Sequence, residues 1–160
     1  MIMKLKDGEV ELELYSDVAP NHVERFKDLS KKGLYDGVVF HRVIDGFMAQ
    51  SGDVKFGNSN SKDFNLALAG TGGSDMPDLK SEFSDIPHDR GVLSAARSAD
   101  PNSANSQFFI CFQPAPHLDR QYTVFGKVIK GMELIDNIKK GEGPNGSVKN
   151  PDKIISLKLK

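Results

Sequence analysis

The chain has one cysteine, no tryptophan and no long apolar run in its 160 residues. A lone thiol, Cys111, excludes an intramolecular disulfide and any zinc or redox motif built on paired cysteines. No stretch reaches the roughly 18 consecutive apolar residues of a membrane-spanning helix. The first residues, Met1 to Gly8, lack the apolar core of a secretory leader, so a cytoplasmic protein is expected. Neither charge is in surplus, because 21 Lys and Arg oppose 22 Asp and Glu. Nucleic-acid and anionic-membrane binders carry a basic footprint, and neither partner is expected here. What remains is ordinary globular material, 38% hydrophobic and 27% charged. It fits one domain over residues 1–160, large enough to be stable without a metal or disulfide.

Short apolar runs punctuated by Gly, Pro, Asn and Asp predict many strands and few helices. Ile2 to Leu5 and Val10 to Tyr15 flank Asp7-Gly8, which predicts a hairpin with a type I′ turn. Pro20 opens a helix carrying Val23, Phe26 and Leu29 on one face, and Gly33 caps its end. Further strands are expected at Val38–Ile44, Phe47–Gln50, Val92–Ala96, Gln107–Phe112, Tyr122–Val128 and Lys153–Leu159. A second helix is expected over Met132–Lys139. The count of about eight strands and two helices suits a mainly β fold, a closed eight-stranded antiparallel barrel capped by two helices. An open sandwich satisfies the same pattern. Lys55–Gly73 and Gly141–Pro151 interrupt the rhythm as polar, glycine-rich connections.

Several chemistries lack their residues. Ser94 has no GxSxG elbow, and Gly70-Thr71-Gly72-Gly73-Ser74 has no phosphate-binding lysine. His22, His41, His88 and His117 show no paired metal-ligand spacing, so neither metal nor cofactor is expected. Cys111, inside Phe108-Phe109-Ile110-Cys111-Phe112, reads as a small buried hydrophobe. The unusual residue is Arg42, which strand periodicity places on one face with Phe40 and Ile44. A guanidinium among apolar neighbours is either paired at the surface or a permanently charged donor facing a groove. Gln107 shares a face with Phe109, and Gln50 with Met48. Together these describe an apolar pocket edged by amides and one arginine.

Phe40-His41-Arg42-Val43-Ile44-Asp45-Gly46-Phe47-Met48-Ala49-Gln50-Ser51-Gly52-Asp53 resembles the signature of cyclophilin-type peptidyl-prolyl cis-trans isomerases. The likeness resumes at Gly91-Val92-Leu93-Ser94, at Pro101 through Ile110, and at Val124-Phe125-Gly126-Lys127-Val128. It implies the capped barrel and an isomerase of X–Pro bonds, with Arg42, Gln50 and Phe109 as the catalytic set. It also implies a proline pocket of Phe47, Met48, Phe109 and Leu118, and a polar rim of Gln50 and Gln107. By the same resemblance Arg97, Ser98 and Ala99 fall in the segment that holds the peptide, and Tyr122 and His117 stand near the substrate. His117 replaces a tryptophan of cyclosporin-sensitive members, Ser98 replaces an asparagine, and Lys55–Ala69 is longer than in compact members. The expected partners are proline-containing peptides and unfolded or flexible chains, with the protein a monomer. A proline-peptide binding module without turnover is the competing reading, and a Cys/His hydrolase on Cys111 a third.

Overall fold

A two-residue turn, Lys6-Asp7, joins β1 (Ile2–Leu5) to β2 (Gly8–Leu14), with Leu5 opposite Gly8. Neither Lys6 nor Asp7 has a positive φ, so the turn is not the expected type I′; Gly8 carries the positive φ instead. Val10 and Leu12 point inward while Glu13 faces water, as period two requires. The computed structural model describes residues 1–160. Its other strands are β3 (Arg42–Ile44), β4 (Met48–Ser51), β5 (Val92–Ala95), β6 (Phe108–Cys111), β7 (Val124–Lys130) and β8 (Ser156–Lys158). All eight form one antiparallel sheet in the order β3-β4-β6-β5-β7-β2-β1-β8.

The sheet curls on itself, but no strand ladder joins its end strands. The seam is irregular: Gly37 and Phe40 donate to the carbonyls of Ile154 and Asp152 at 2.7 and 2.8 Å, and Val39 bridges Lys153. Closure is therefore looser than the expected continuous barrel. The free edge of β3 is covered by the Gly141–Pro151 connection. Val43 donates to Gly146 O at 2.9 Å, Gly141 donates to Val43 O at 2.8 Å, and Arg42 bridges Ser147. An unpaired edge invites association with other chains, and this connection removes it. Gly146 has φ +69°, and a Cβ there would sit 2.6 Å from Ile44. No other residue fits.

Helix α1 (Pro20–Lys31) closes one end of the barrel. Pro20 occupies the first turn, and the Glu82 carboxylate accepts from the amides of Asn21 and His22 at 3.3 and 2.9 Å. That distant carboxylate does the work of a missing side-chain cap. Leu34 donates to Leu29 O and Gly33 to Ser30 O, both at 3.0 Å, a Schellman end with Gly33 at φ +70°. Phe26 enters the core against Tyr35, Phe108 and Phe125, with ring centroids 5.2–5.3 Å apart. Helix α2 (Met132–Asp136) is shorter than the expected span to Lys139. The Lys140 amino group bonds the carbonyls of Asp136 and Ile138, satisfying acceptors that the ended helix leaves free.

Candidate active site

Strand register assembles the site. Arg42 lies opposite Gln50, Gln50 opposite Phe109, and Phe109 opposite Ser94, so four strands contribute one transverse row. Ile44, Met48 and Cys111 make the next row. The alternate residues Val43, Ala49, Phe108 and Ile110 enter the main core, which leaves the first set on the outer face of the sheet. The expected placement of Arg42 beside Phe40 is wrong. Phe40 is fully buried in the main core with Val43, and regular strand begins only at Arg42. Residues up to Phe40 pair across the barrel seam and residues from Arg42 pair with β4, so the alternation slips at His41.

A separate apolar cluster sits on this outer face: Met48, Phe109, Cys111, Ala115 and Leu118, flanked by Phe47 and Tyr122. A short 3-10 turn, Pro116–Leu118, brings Leu118 in. Tyr122 meets Phe109 edge-on at 5.7 Å, and the Arg97 guanidinium lies 4.4 Å from the Tyr122 ring. Those contacts fix one wall. Arg42, Phe47, Met48, Gln50, Arg97, Phe109, Leu118 and Tyr122 share one groove of about 890 Å³. Ser98 and Gln107 line a smaller, more polar cavity of about 450 Å³ that also touches Gln50 and Arg97. His117 is exposed, its ring 5.6 Å from that of Phe47, and Ala99 is exposed and lines neither cavity.

The polar groups are wired head to tail. Arg42 Nη1 donates to Gln50 Oε1 at 3.1 Å, and Gln50 Nε2 donates to Gln107 Oε1 at 3.0 Å. Gln107 Nε2 then donates to the carbonyls of Gly70 and Gly72 at 2.9 and 2.8 Å. Because arginine only donates, this chain has one consistent direction, which fixes both amide orientations. Arg42 Nε donates to Asn145 O at 2.9 Å, and no carboxylate pairs with the guanidinium. Its charge is held in place without being neutralised.

Two supports were not legible in the sequence. Asp53, fully buried, accepts from the amides of Lys55, Phe56, Gly70 and Gly72 at 2.8–3.0 Å. It thereby ties both ends of the long Lys55–Gly73 loop to one carboxylate. Asn145, in what read as a spacer, orients Arg42. The only local signal for either was an Asp or Asn beside a glycine, a pattern shared by most turns.

Behind Phe109 lies a Ser94–His88–Asp119 relay, in which Ser94 and His88 are buried and the Asp119 carboxylate is 32% exposed. His88 Nδ1 is 3.0 Å from Asp119 Oδ1, and Nε2 is 2.9 Å from Ser94 Oγ. The connectivity resembles a hydrolase triad, yet Ser94 is 0% exposed and out of reach of any substrate. Cys111 is equally buried, and desolvation pushes its thiol up to about 12, so no thiolate forms near neutrality. No group of three His, Cys, Asp or Glu side chains is placed to hold a metal ion.

Burial sets the three buried histidines low. Desolvation lowers His22 and His88 below the ordinary value despite their carboxylate partners, and takes His41 to about 4. A base with a lowered folded pKa binds its proton more readily in the unfolded chain. Stability is therefore full above the unfolded histidine value of about 6.5 and drains as pH falls below it. His41 alone removes on the order of 2 kcal/mol by pH 5, given about 1.4 kcal/mol per pKa unit. Thermal melts should show a midpoint lower by several degrees at pH 5 than at pH 7. Equal midpoints would mean these rings are not buried neutral.

The antiparallel barrel, its two helices and the groove on its outer face define a cyclophilin class of fold. The family model for cyclophilin type peptidyl-prolyl cis-trans isomerase/CLD matches residues 1–159. A probable peptidyl-prolyl cis-trans isomerase of Brucella suis is 60% identical over 160 residues, spanning 99% of this chain and 81% of that one. A peptidyl-prolyl cis-trans isomerase of Acinetobacter baylyi is 38% identical, spanning 99% and 84%. Among solved structures, a Cryptosporidium parvum cyclophilin-type isomerase crystallised in the presence of the dipeptide Ala-Pro superposes with a TM-score of 0.79 at 27% identity. That match covers 98% of this chain and 96% of that one. The chain belongs to the cyclophilin-type peptidyl-prolyl cis-trans isomerases, and the activity of that family is its activity.

Proposed function

We propose that Arg42 drives X–Pro isomerisation by donating to the prolyl nitrogen as the peptide bond twists. The observation that carries this is a guanidinium without a carboxylate partner beside an apolar pocket of Phe47, Met48, Phe109 and Leu118. Rotation about the peptide bond costs about 18–20 kcal/mol because it breaks amide resonance. In the twisted state the nitrogen lone pair is localised and basic; in the planar states it is delocalised. A fixed N–H aimed at that nitrogen binds the twisted state better, and only such differential binding lowers a barrier. The apolar pocket holds the pyrrolidine ring and disfavours the charge-separated planar amide. Gln50 and Gln107 keep the guanidinium from swinging into solvent. Exchange measured by NMR on an Ala-Pro peptide, with wild type and Arg42→Ala, tests the assignment.

Because this reaction needs no general base, turnover should be flat between about pH 6.5 and 8.5. His41, which lines the groove, is already neutral throughout that range. Alkylating reagents should leave activity intact, since Cys111 is 0% exposed. A bell-shaped profile, or inactivation of folded enzyme by iodoacetamide, would contradict the mechanism.

His117, beside Phe47 on the rim, supports weak binding of cyclosporin. Replacing imidazole by indole adds apolar area and an N–H donor, so His117→Trp should tighten inhibition about tenfold to a hundredfold. An unchanged inhibition constant would remove His117 from the binding surface. The proposed substrates are exposed X–Pro bonds in unfolded or flexible chains, whose uncatalysed exchange takes about 10–100 s. The proposal includes a monomer in the cytoplasm, read by sedimentation and by cell fractionation.

A further inference from the structure

We infer that Leu66, with Ala67 and Ala69, forms a second apolar subsite that takes an aliphatic substrate side chain flanking the proline. This rests on the isomerase reading of the same groove and adds a sequence preference to it. The groove that holds Arg42 and the proline pocket is also lined by Leu66, Ala67 and Ala69 and by Asn145, Ser147 and Val148. Leu66 is 38% exposed, and Phe64 and Leu68 beside it are 38% and 42% exposed. Of these three Leu66 is the one that lines the groove, where Ala67 and Ala69 beside it extend the apolar lining.

The wall is preformed. Asn65 N donates to Phe56 O at 2.9 Å, Asn65 Oδ1 accepts from Ala67 N at 3.1 Å, and Leu68 N donates to Asn65 O at 3.0 Å. The Asp53 carboxylate and the Gln107 amide clamp Gly70 and Gly72 immediately after. A side chain landing there meets a surface whose ordering is already complete, which favours binding. The polar cavity, which meets the groove at Gln50 and Arg97, has one hydrophobic residue, Ala96, among its lining, so the two adjoining cavities differ in chemistry. An extended peptide advances about 3.3–3.6 Å per residue, so one groove contacts several positions around the proline. The aliphatic preference should therefore fall on one side of the proline only.

The test is a peptide series on an Ala-Pro core with leucine, serine or lysine placed singly at each of the flanking positions. Exchange rates are measured with wild type, Leu66→Ser and Leu66→Glu, and folding of each is checked by its melting midpoint. With wild type, leucine should exceed serine by about three- to tenfold in kcat/KM at one position on one side. Leu66→Ser should collapse that ratio toward one, and Leu66→Glu should turn the preference at the same position to lysine. A flat wild-type series, or a leucine preference that both variants leave unmoved, overturns the subsite. So does a variant that changes every peptide by the same factor. Failure of wild type on every peptide would instead strike the isomerase reading itself.

Discussion

Arg42→Ala should lower kcat/KM by about two to three orders of magnitude while the protein stays folded. Deleting one preorganised donor to developing charge costs about 10²–10³ in rate. Here that donor is also the only charge in contact with Gln50, so its loss frees the amide chain that runs to Gln107. Stability should change little, because Arg42 is half-exposed and gives up surface hydrogen bonds worth about 1 kcal/mol each. Arg42→Lys should recover only a small part of the loss. Lysine keeps the charge, but it is a point donor on a flexible stem and cannot bond Asn145 O, Gln50 and the prolyl nitrogen from one planar fork. NMR exchange rates for the three proteins decide the matter. Wild-type turnover by Arg42→Lys would show that charge suffices and that the fork has no role.

Asp53→Ala should destabilise the fold by about 2–4 kcal/mol, because a desolvated amide left without its acceptor costs about 1–3 kcal/mol and these amides are part-buried. Four amides lose their shared acceptor at once, and they belong to both ends of one long loop. Asp53→Asn should fare little better. A carboxamide offers one acceptor oxygen where two are used, and turns its own N–H toward amides that also donate. The effect should reach the site, because Gly70 and Gly72 carry the carbonyls that orient Gln107. Denaturation midpoints, with amide exchange read at Gly70 and Gly72, measure both consequences. A variant as stable as wild type, with those amides still protected, would show that the carboxylate is not the clamp.

The strands that line the groove were legible because their information is local. Period two within Phe108–Cys111 and Met48–Ser51 sends alternate residues to core and groove, and the structure follows it. The same rule failed at Phe40, where the chain changes partner between two pairings and the alternation loses a step. Periodicity assumes one continuous ladder, and nothing in the residues near His41 announces the break.

What the sequence by itself determined was the set of strands, the first helix with its glycine stop, and the residue types of the pocket. Each of these depends on neighbours within about four positions along the chain. The tertiary structure alone decided the irregular seam, the covering of β3 by Gly141–Pro151, the Asp53 clamp and the hold of Asn145 on Arg42. The last of these joins residues 103 positions apart. In all four a backbone N–H or C=O meets its partner across the fold. Every residue except proline carries that donor and every residue carries that acceptor, so the sequence cannot mark which distant pair will meet.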